Sequence, residues 1–391
     1  MMENRKNDGV IGEEECSIDG DILASILSNL PLLDLYSACQ VSKSWNRAVF
    51  FSLRNLKTMP WLLVYTQRIM PPFIMAAMAY DPKSDEWIEL KTASRVKHLS
   101  VYGSSHSTLL YSLSPKRFSF SVDAFHLNWR HVAPTRVWRV DPIVAVVGRS
   151  LIVAGGVWQF ADDKLAVELL DLDIESGGVW ERCESMPGSL LGSPSSTWLS
   201  VAVNSEKLYV TEKRSGVACC FDPETRSWTE LLDFSPGDCK LYSREIGFAG
   251  NRLIMAGITG DEDIPTGIKL WEVAVSNESP MNLKFESIGS MPKAFFDKLR
   301  VIDTDRPLTS IAFNAVGDMV YIRDAAETGE IVAAEIEGGG KLCRWRTLTN
   351  QNKCDATERL IVACSKVSFS DLKRALKDNL SFSVVSRTRQ V

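Results

Sequence analysis

Two octapeptides, Tyr80-Asp81-Pro82-Lys83-Ser84-Asp85-Glu86-Trp87 and Phe221-Asp222-Pro223-Glu224-Thr225-Arg226-Ser227-Trp228, share the pattern aromatic-Asp-Pro-x-Ser/Thr-x-x-Trp. Asp and Pro set a tight turn, the hydroxyl residue supports it, and the tryptophan opens the strand that follows. The two tryptophans stand 141 positions apart, three periods of 47 residues. Self-similarity at a period of roughly 20–50 residues marks propellers and solenoids. Further markers fill the series: Trp129, Trp180, Phe285 and Trp345 join Trp87 and Trp228 to give six units between residues 60 and 369.

Ahead of the later markers lie apolar runs opened by turn residues, such as RSLIVAGG, EKLYVTEK, NRLIMAGI and GDMVYIRD. Each unit therefore reads as four short antiparallel strands, the blade of a propeller. The first unit is one strand short, with only WLLVYTQ, FIMAAMAYD and WIELKT. The run 359–367 is a lone strand near the C-terminus, and its addition to the first blade would close the ring and remove an exposed edge.

Residues 17–56 have a different character. Ile22, Leu23, Ile26, Leu27 and Leu30 fall at helical spacing after Asp19, a candidate cap, and Pro31 ends that helix. Asp34 is expected to cap a second helix bearing Leu35, Ala38 and Cys39. A third is expected to begin near Ser42 or Ser44 and carry Trp45, Val49 and Phe50. So small a helical unit has little core of its own and leans on a neighbour.

The stretch resembles an F-box. Ile26-Leu27, Leu30-Pro31, Leu35 and Val41-Ser42-Lys43-Ser44-Trp45 match that pattern, while Ile18-Asp19 stands where a leading Leu-Pro is usual. The resemblance implies binding to the Skp-type adaptor of a cullin-RING ubiquitin ligase. Ile18, Ile22, Ile26, Leu27, Leu30, Pro31, Leu35, Val41 and Trp45 are the expected adaptor contacts, because so many apolar groups exceed what the unit can bury. The alternative is a plain three-helix cap. The repeats in turn resemble kelch repeats, with Gly155-Gly156 and Trp180 in the family pattern. Ala256-Gly257 keeps one glycine, and units two, four and six have none there. A glycine at this place suits a strand whose backbone approaches its neighbours closely near the axis.

The expected fold is therefore mainly β: a six-bladed kelch-type β-propeller with a small N-terminal three-helix F-box domain. The expected boundaries are a disordered tail at 1–16, the F-box at 17–57, the propeller at 58–369 and a C-terminal tail at 370–391. The two halves together resemble the plant F-box/kelch family, some members of which direct turnover of enzymes of phenylpropanoid and flavonoid synthesis. The family implies a non-catalytic substrate receptor that links the adaptor to a target protein by proximity. The alternatives are a propeller scaffold or cytoskeletal binder, and a propeller enzyme.

Composition narrows the remaining choices. A formal net charge of -5 argues against a non-specific nucleic-acid binder, which needs a basic face. No run of about 18 apolar residues exists, so no membrane helix is expected, and the polar N-terminus is no secretory signal. Nine scattered cysteines without C-x-x-C fit a reducing compartment, the cytoplasm or nucleus. No catalytic residue, metal or cofactor is expected. The four histidines, His98, His106, His126 and His131, fall in one unit and lack ligand spacing, and no phosphate-binding or nucleophile motif occurs.

Target binding is expected on one end of the propeller. In an up-and-down blade, the loops between second and third strands and the links between blades share one end. Arg136, Trp138, Trp158 and Arg214 fall in such segments, together with Phe160. Aromatic and arginine side chains are favoured interface anchors. The alternative is that these aromatics plug the propeller mouth.

Overall fold

A computed structural model describes residues 20–53, 58–91, 99–104, 106–158, 160–173, 178–276, 282–299, 307–326, 330–336, 342–349, 357–377 and 381–385. The chain divides into two compact units, one formed by residues up to Thr58 with Ser368–Lys373, the other by Met59–Val367 with Arg374 onward.

The first unit contains α1 (Gly20–Leu27), α2 (Leu32–Ala38) and α3 (Lys43–Ser52). Leu23, Leu27, Leu32, Leu35, Ala48 and Val49 form its buried side. Pro31 both stops the first helix and stands as the N-cap of α2, so Asp34 lies inside the first turn rather than capping it. There its carboxylate still faces the positive end of the helix. Ser42 caps α3, its hydroxyl accepting from the Trp45 N–H at 3.2 Å. Asp19 and Ile18 lie outside the described residues. The segment 370–391, expected as a tail, carries a helix Phe369–Lys377 and a strand Ser381–Val385. Ser368 caps that helix through Asp371, which accepts its hydroxyl at 2.5 Å and its N–H at 2.9 Å. The Lys373 ammonium of this segment lies 4.7 Å from the centre of the Phe50 ring.

The second unit is a six-bladed β-propeller. Its sheets follow one another around an axis, and neighbouring innermost strands run side by side. In blade 3 the strands are Ile143–Val147, Ser150–Ala154, Val167–Asp171 and Glu181–Arg182, from the axis outward. The first of these shows why the runs are apolar almost throughout. Ile143, Ala145 and Val147 face a cluster shared with blade 4, and Val144 and Val146 face one shared with blade 2. A sheet sandwiched between two others buries both faces, so simple alternation disappears.

Every repeat marker sits on or just ahead of an outer strand: Trp87 in Glu86–Lys91, Trp129 before Arg130–Val132, Trp180 before Glu181–Arg182. Trp228, Phe285 and Trp345 occupy the corresponding strands of blades 4, 5 and 6. The two Asp-Pro turns share one geometry. Asp81 accepts the N–H of Lys83 at 3.0 Å, Asp222 that of Glu224 at 2.8 Å, and the left-handed positions are Asp85 and Arg226.

Closure occurs as the sequence suggests. Glu358–Val367 is the innermost strand of blade 1 and pairs antiparallel with Met59–Arg68 along ten positions. The blade then continues with Met75–Asp81 and Glu86–Lys91, and Ser381–Val385 adds a fifth, outer strand.

Candidate functional site: the linker face of the propeller

Up-and-down strand order places the loops 69–74, 155–158 with 160–166, 213–216 and 261–264 at one end of the propeller, with the inter-blade links 133–142 and 183–198. We call this end the linker face. Most exposed large apolar side chains of the propeller lie here. Trp138 and Val140 stand on the first link, Trp158 and Phe160 on the blade 3 loop, and Leu191 and Trp198 on the second link. Ile69, Met70 and Ile74 on the blade 1 loop and Ile264 on that of blade 5 add to them. The opposite end exposes Val122 and Val179. Phe160 is 77% exposed and Trp158 51%, so neither ring plugs the mouth.

The backbone under these rings is tightly tied. Arg139 is buried and donates to the carbonyls of Gly155 at 2.6 Å and Ala166 at 2.9 Å, and to the Glu168 carboxylate at 3.0 Å. Glu168 also takes the Arg136 N–H at 2.8 Å. One buried carboxylate thereby fixes the backbone that presents Arg136 and Trp138 to solvent. Burial holds the Arg139 pKa below its usual value, and the Glu168 carboxylate offsets part of that effect.

Gly155 and Gly156 have φ of +60° and +61°. A Cβ on Gly156 would stand 2.3 Å from the Asp141 carbonyl, and one on Gly155 2.2 Å from the Pro194 oxygen. The close approach that demands the kelch glycines thus comes from the two links crossing the end of the strand, not from a neighbour at the axis. Gly156 donates to Pro194 O at 2.7 Å and accepts from Val140 N at 2.8 Å. Asp141 then joins the second link, accepting the Thr197 N–H at 2.9 Å and its hydroxyl at 2.6 Å. The two links and the blade 3 loop form one hydrogen-bonded platform.

The face divides electrostatically. Over blades 4 and 5 the cations are paired: Arg214 with Glu262, Lys213 with Glu245, Lys240 with Asp261 and Lys269 with Asp238. The Arg214 backbone carbonyl is also held by the buried Arg244 guanidinium. Arg214 therefore shares the face with Arg136, Trp138 and Trp158 but belongs to a neutralised sector. Sequence reading missed Val140, Leu191, Trp198 and the blade 1 loop. A tryptophan within the Ser/Pro/Gly-rich stretch GSPSSTW was the available signal for Trp198.

On the helical unit, Ile22 and Ile26 are 56% and 51% exposed on one side of α1, and Val41 is exposed ahead of α3. Leu30, Pro31 and Trp45 are half-buried. Leu27 and Leu35 are sealed in the core, so they hold the helices together rather than offering a contact surface. Phe50 and Phe51, outside the expected contact set, are exposed on α3.

The F-box-like family model matches residues 21–53. An F-box/kelch-repeat protein of Arabidopsis thaliana is 71% identical over 385 residues, covering 96% of each chain. The chain belongs to the plant F-box/kelch-repeat family. An F-box head with a kelch propeller supports a substrate-recognition adaptor role. Among the described residues, no group of three or more His, Cys, Asp or Glu is placed to hold a metal ion, and no helix is long and apolar enough to cross a membrane. His126 pairs with Asp123 at 2.7 Å and His131 with Ser119 at 2.8 Å, while His98 lies outside the described residues.

Proposed function

We propose that this chain is the substrate receptor of an SCF-type cullin-RING ubiquitin ligase. The helical unit holds the Skp-type adaptor, and the propeller holds a target protein for ubiquitination. The observation that carries the reading is the exposed row Ile22 and Ile26 on α1, with Val41 ahead of α3, left in water while Leu23, Leu27, Leu32 and Leu35 are packed. An apolar stripe left in water by a folded unit marks an interface. No chemical step is required of the chain: holding ligase and target together raises their effective concentration. The linker face, with Arg136, Trp138 and Trp158, supports target binding, while Arg214 lies in its neutralised sector. By family resemblance the first candidate targets are enzymes of phenylpropanoid or flavonoid synthesis, and the compartment is cytoplasm or nucleus.

The test is co-purification of the full chain with a Skp-type adaptor. Ile22→Asp with Ile26→Asp should abolish it while the propeller melts normally. Retention of the adaptor by the double variant would remove the receptor reading and favour a scaffold with a structural cap.

A further inference from the structure

We infer that the target is gripped by one sector of the linker face, over blades 2 and 3 and the link from blade 3 to blade 4, and that the gripped segment is acidic with bulky apolar anchors. This rests on the receptor reading above and adds the chemistry of what is bound.

Two observations on that sector coincide. The first is the apolar row Trp138, Val140, Trp158, Phe160, Leu191 and Trp198, all exposed. These side chains stand on the platform fixed by Arg139, Glu168, Gly156 and Asp141, so the rings are presented by backbone that is already ordered. Preordered aromatic groups lose little freedom on binding, which makes them effective anchors.

The second observation is charge. Lys116 and Arg117 are exposed at the tip of blade 2, where the strand Arg117–Ser121 pairs with the one leading into the first link. Arg136 is exposed beside Trp138, and Lys164 closes the blade 3 loop. None of these four cations has a carboxylate within ion-pair distance among the described residues. The loop acids do not cancel them. Asp163 is held by Arg182 at 2.7 Å and by Ser185 at 2.6 Å, and Asp141 is engaged by Thr197. Asp162 and Glu184 are the exposed acids of these segments, and Glu184 accepts the Trp228 N–H at 3.0 Å. The result is a basic and apolar strip on a chain whose net charge is -5. The cations over blades 4 and 5 are, by contrast, neutralised within the protein.

Complementarity then specifies the occupant. A basic segment would meet like charge, and a purely apolar one would leave the cations unused. An acidic segment with aromatic or large aliphatic side chains satisfies both. A second copy of this chain would bring the same cations against themselves at a symmetric contact.

The probe is a phage-displayed library of random dodecapeptides panned on the purified full chain, with selected peptides measured by fluorescence polarisation. Enriched sequences should combine Asp or Glu with Trp, Phe, Leu or Ile. Trp138→Ala and Trp198→Ala should each weaken binding by about tenfold or more. Arg136→Glu should weaken binding and flatten its salt dependence, and Arg136→Lys should retain most of it. Arg214→Glu, in the paired sector, should leave it unchanged, and every variant should melt like the parent. Enrichment of basic or uncharged polar peptides, absence of any enriched class, or equal loss with Arg214→Glu would overturn the assignment. So would self-association in sedimentation that Trp138→Ala abolishes. Peptide binding that survives in the Ile22→Asp, Ile26→Asp variant leaves this surface standing even where the adaptor reading fails.

Discussion

The guanidinium of Arg139 meets the carboxylate of Glu168 at 3.0 Å in a site closed to solvent, and Glu168 also accepts the N–H of Arg136. A buried pair of this kind adds little over an apolar pair, but removing one partner strands the other charge. Glu168→Ala should therefore cost about 3–5 kcal/mol, and Arg139→Met with Glu168→Leu should cost less than either single change. Thermal melting of the three variants decides it. An unshifted melting temperature for Glu168→Ala would show that the pair is not closed as described.

Gly156→Ala should destabilise the propeller by roughly 2 kcal/mol or more, from a strained φ of +61° and a Cβ 2.3 Å from the Asp141 carbonyl. Gly188→Ala, where a Cβ meets nothing within 4 Å, is the control and should be near neutral. Denaturant unfolding of both variants gives the comparison.

His106 lies on the blade 2 loop that crosses toward the axis. There Ser107 accepts the Cys364 N–H at 2.6 Å through its carbonyl and the Ala315 N–H at 3.0 Å through its hydroxyl. The loop lines a cavity of about 150 Å³ with Phe248 and Lys366. Burial lowers the His106 pKa to about 4. The unfolded chain, with its histidine near 6.5, then binds a proton before the folded one does. Stability from this group is complete above about pH 6.5 and is lost as the pH falls toward 4, by about 3 kcal/mol. His106→Gln should flatten the melting temperature across that window, and an unchanged slope would contradict the assignment.

Leu27→Ala and Ile26→Ala separate core from surface on one helix. Leu27 is 1% exposed, so its truncation should cost about 2–5 kcal/mol of helical-unit stability. Ile26→Ala should cost much less, yet should weaken adaptor binding. Hydrogen exchange of the helical unit and adaptor co-purification read the two effects independently.

Deleting 359–391 should collapse the propeller, because the second strand of blade 1 loses nine of its ten paired positions at the axis. Deleting 378–391 removes only the outer strand Ser381–Val385, beside Glu86–Lys91, and should lower the melting temperature modestly. Equal losses would show that both strands matter alike to closure.

The propeller was legible because its signals are local. Asp81-Pro82 and Asp222-Pro223 shape their own turns, and the aromatic marker of each unit, five tryptophans and Phe285, sits at its own outer strand. The head was legible for the same reason at Pro31 and Ser42. What escaped depended on distant segments. Nothing near Gly156 announces Asp141 or Pro194, and nothing near Arg214 reveals that Glu262 neutralises it. Leu27 and Ile26 are adjacent apolar residues in a helix, and only packing against α3 tells the buried one from the exposed one. The helix at Phe369–Lys377 escaped because the repeats had ended and its length is short.

The innermost strand of blade 1 is the last of the axial strands to be synthesised, while its partner Met59–Arg68 is the first propeller strand made. About 300 residues separate them, which at roughly 5–20 residues per second is on the order of 15–60 s of translation. Through that interval the partner waits with an unpaired edge, a template for wrong pairing. The ring can lock only once Glu358–Val367 has been made. A chain that stops short of Glu358 therefore never closes its ring, and the edge of Met59–Arg68 stays bare.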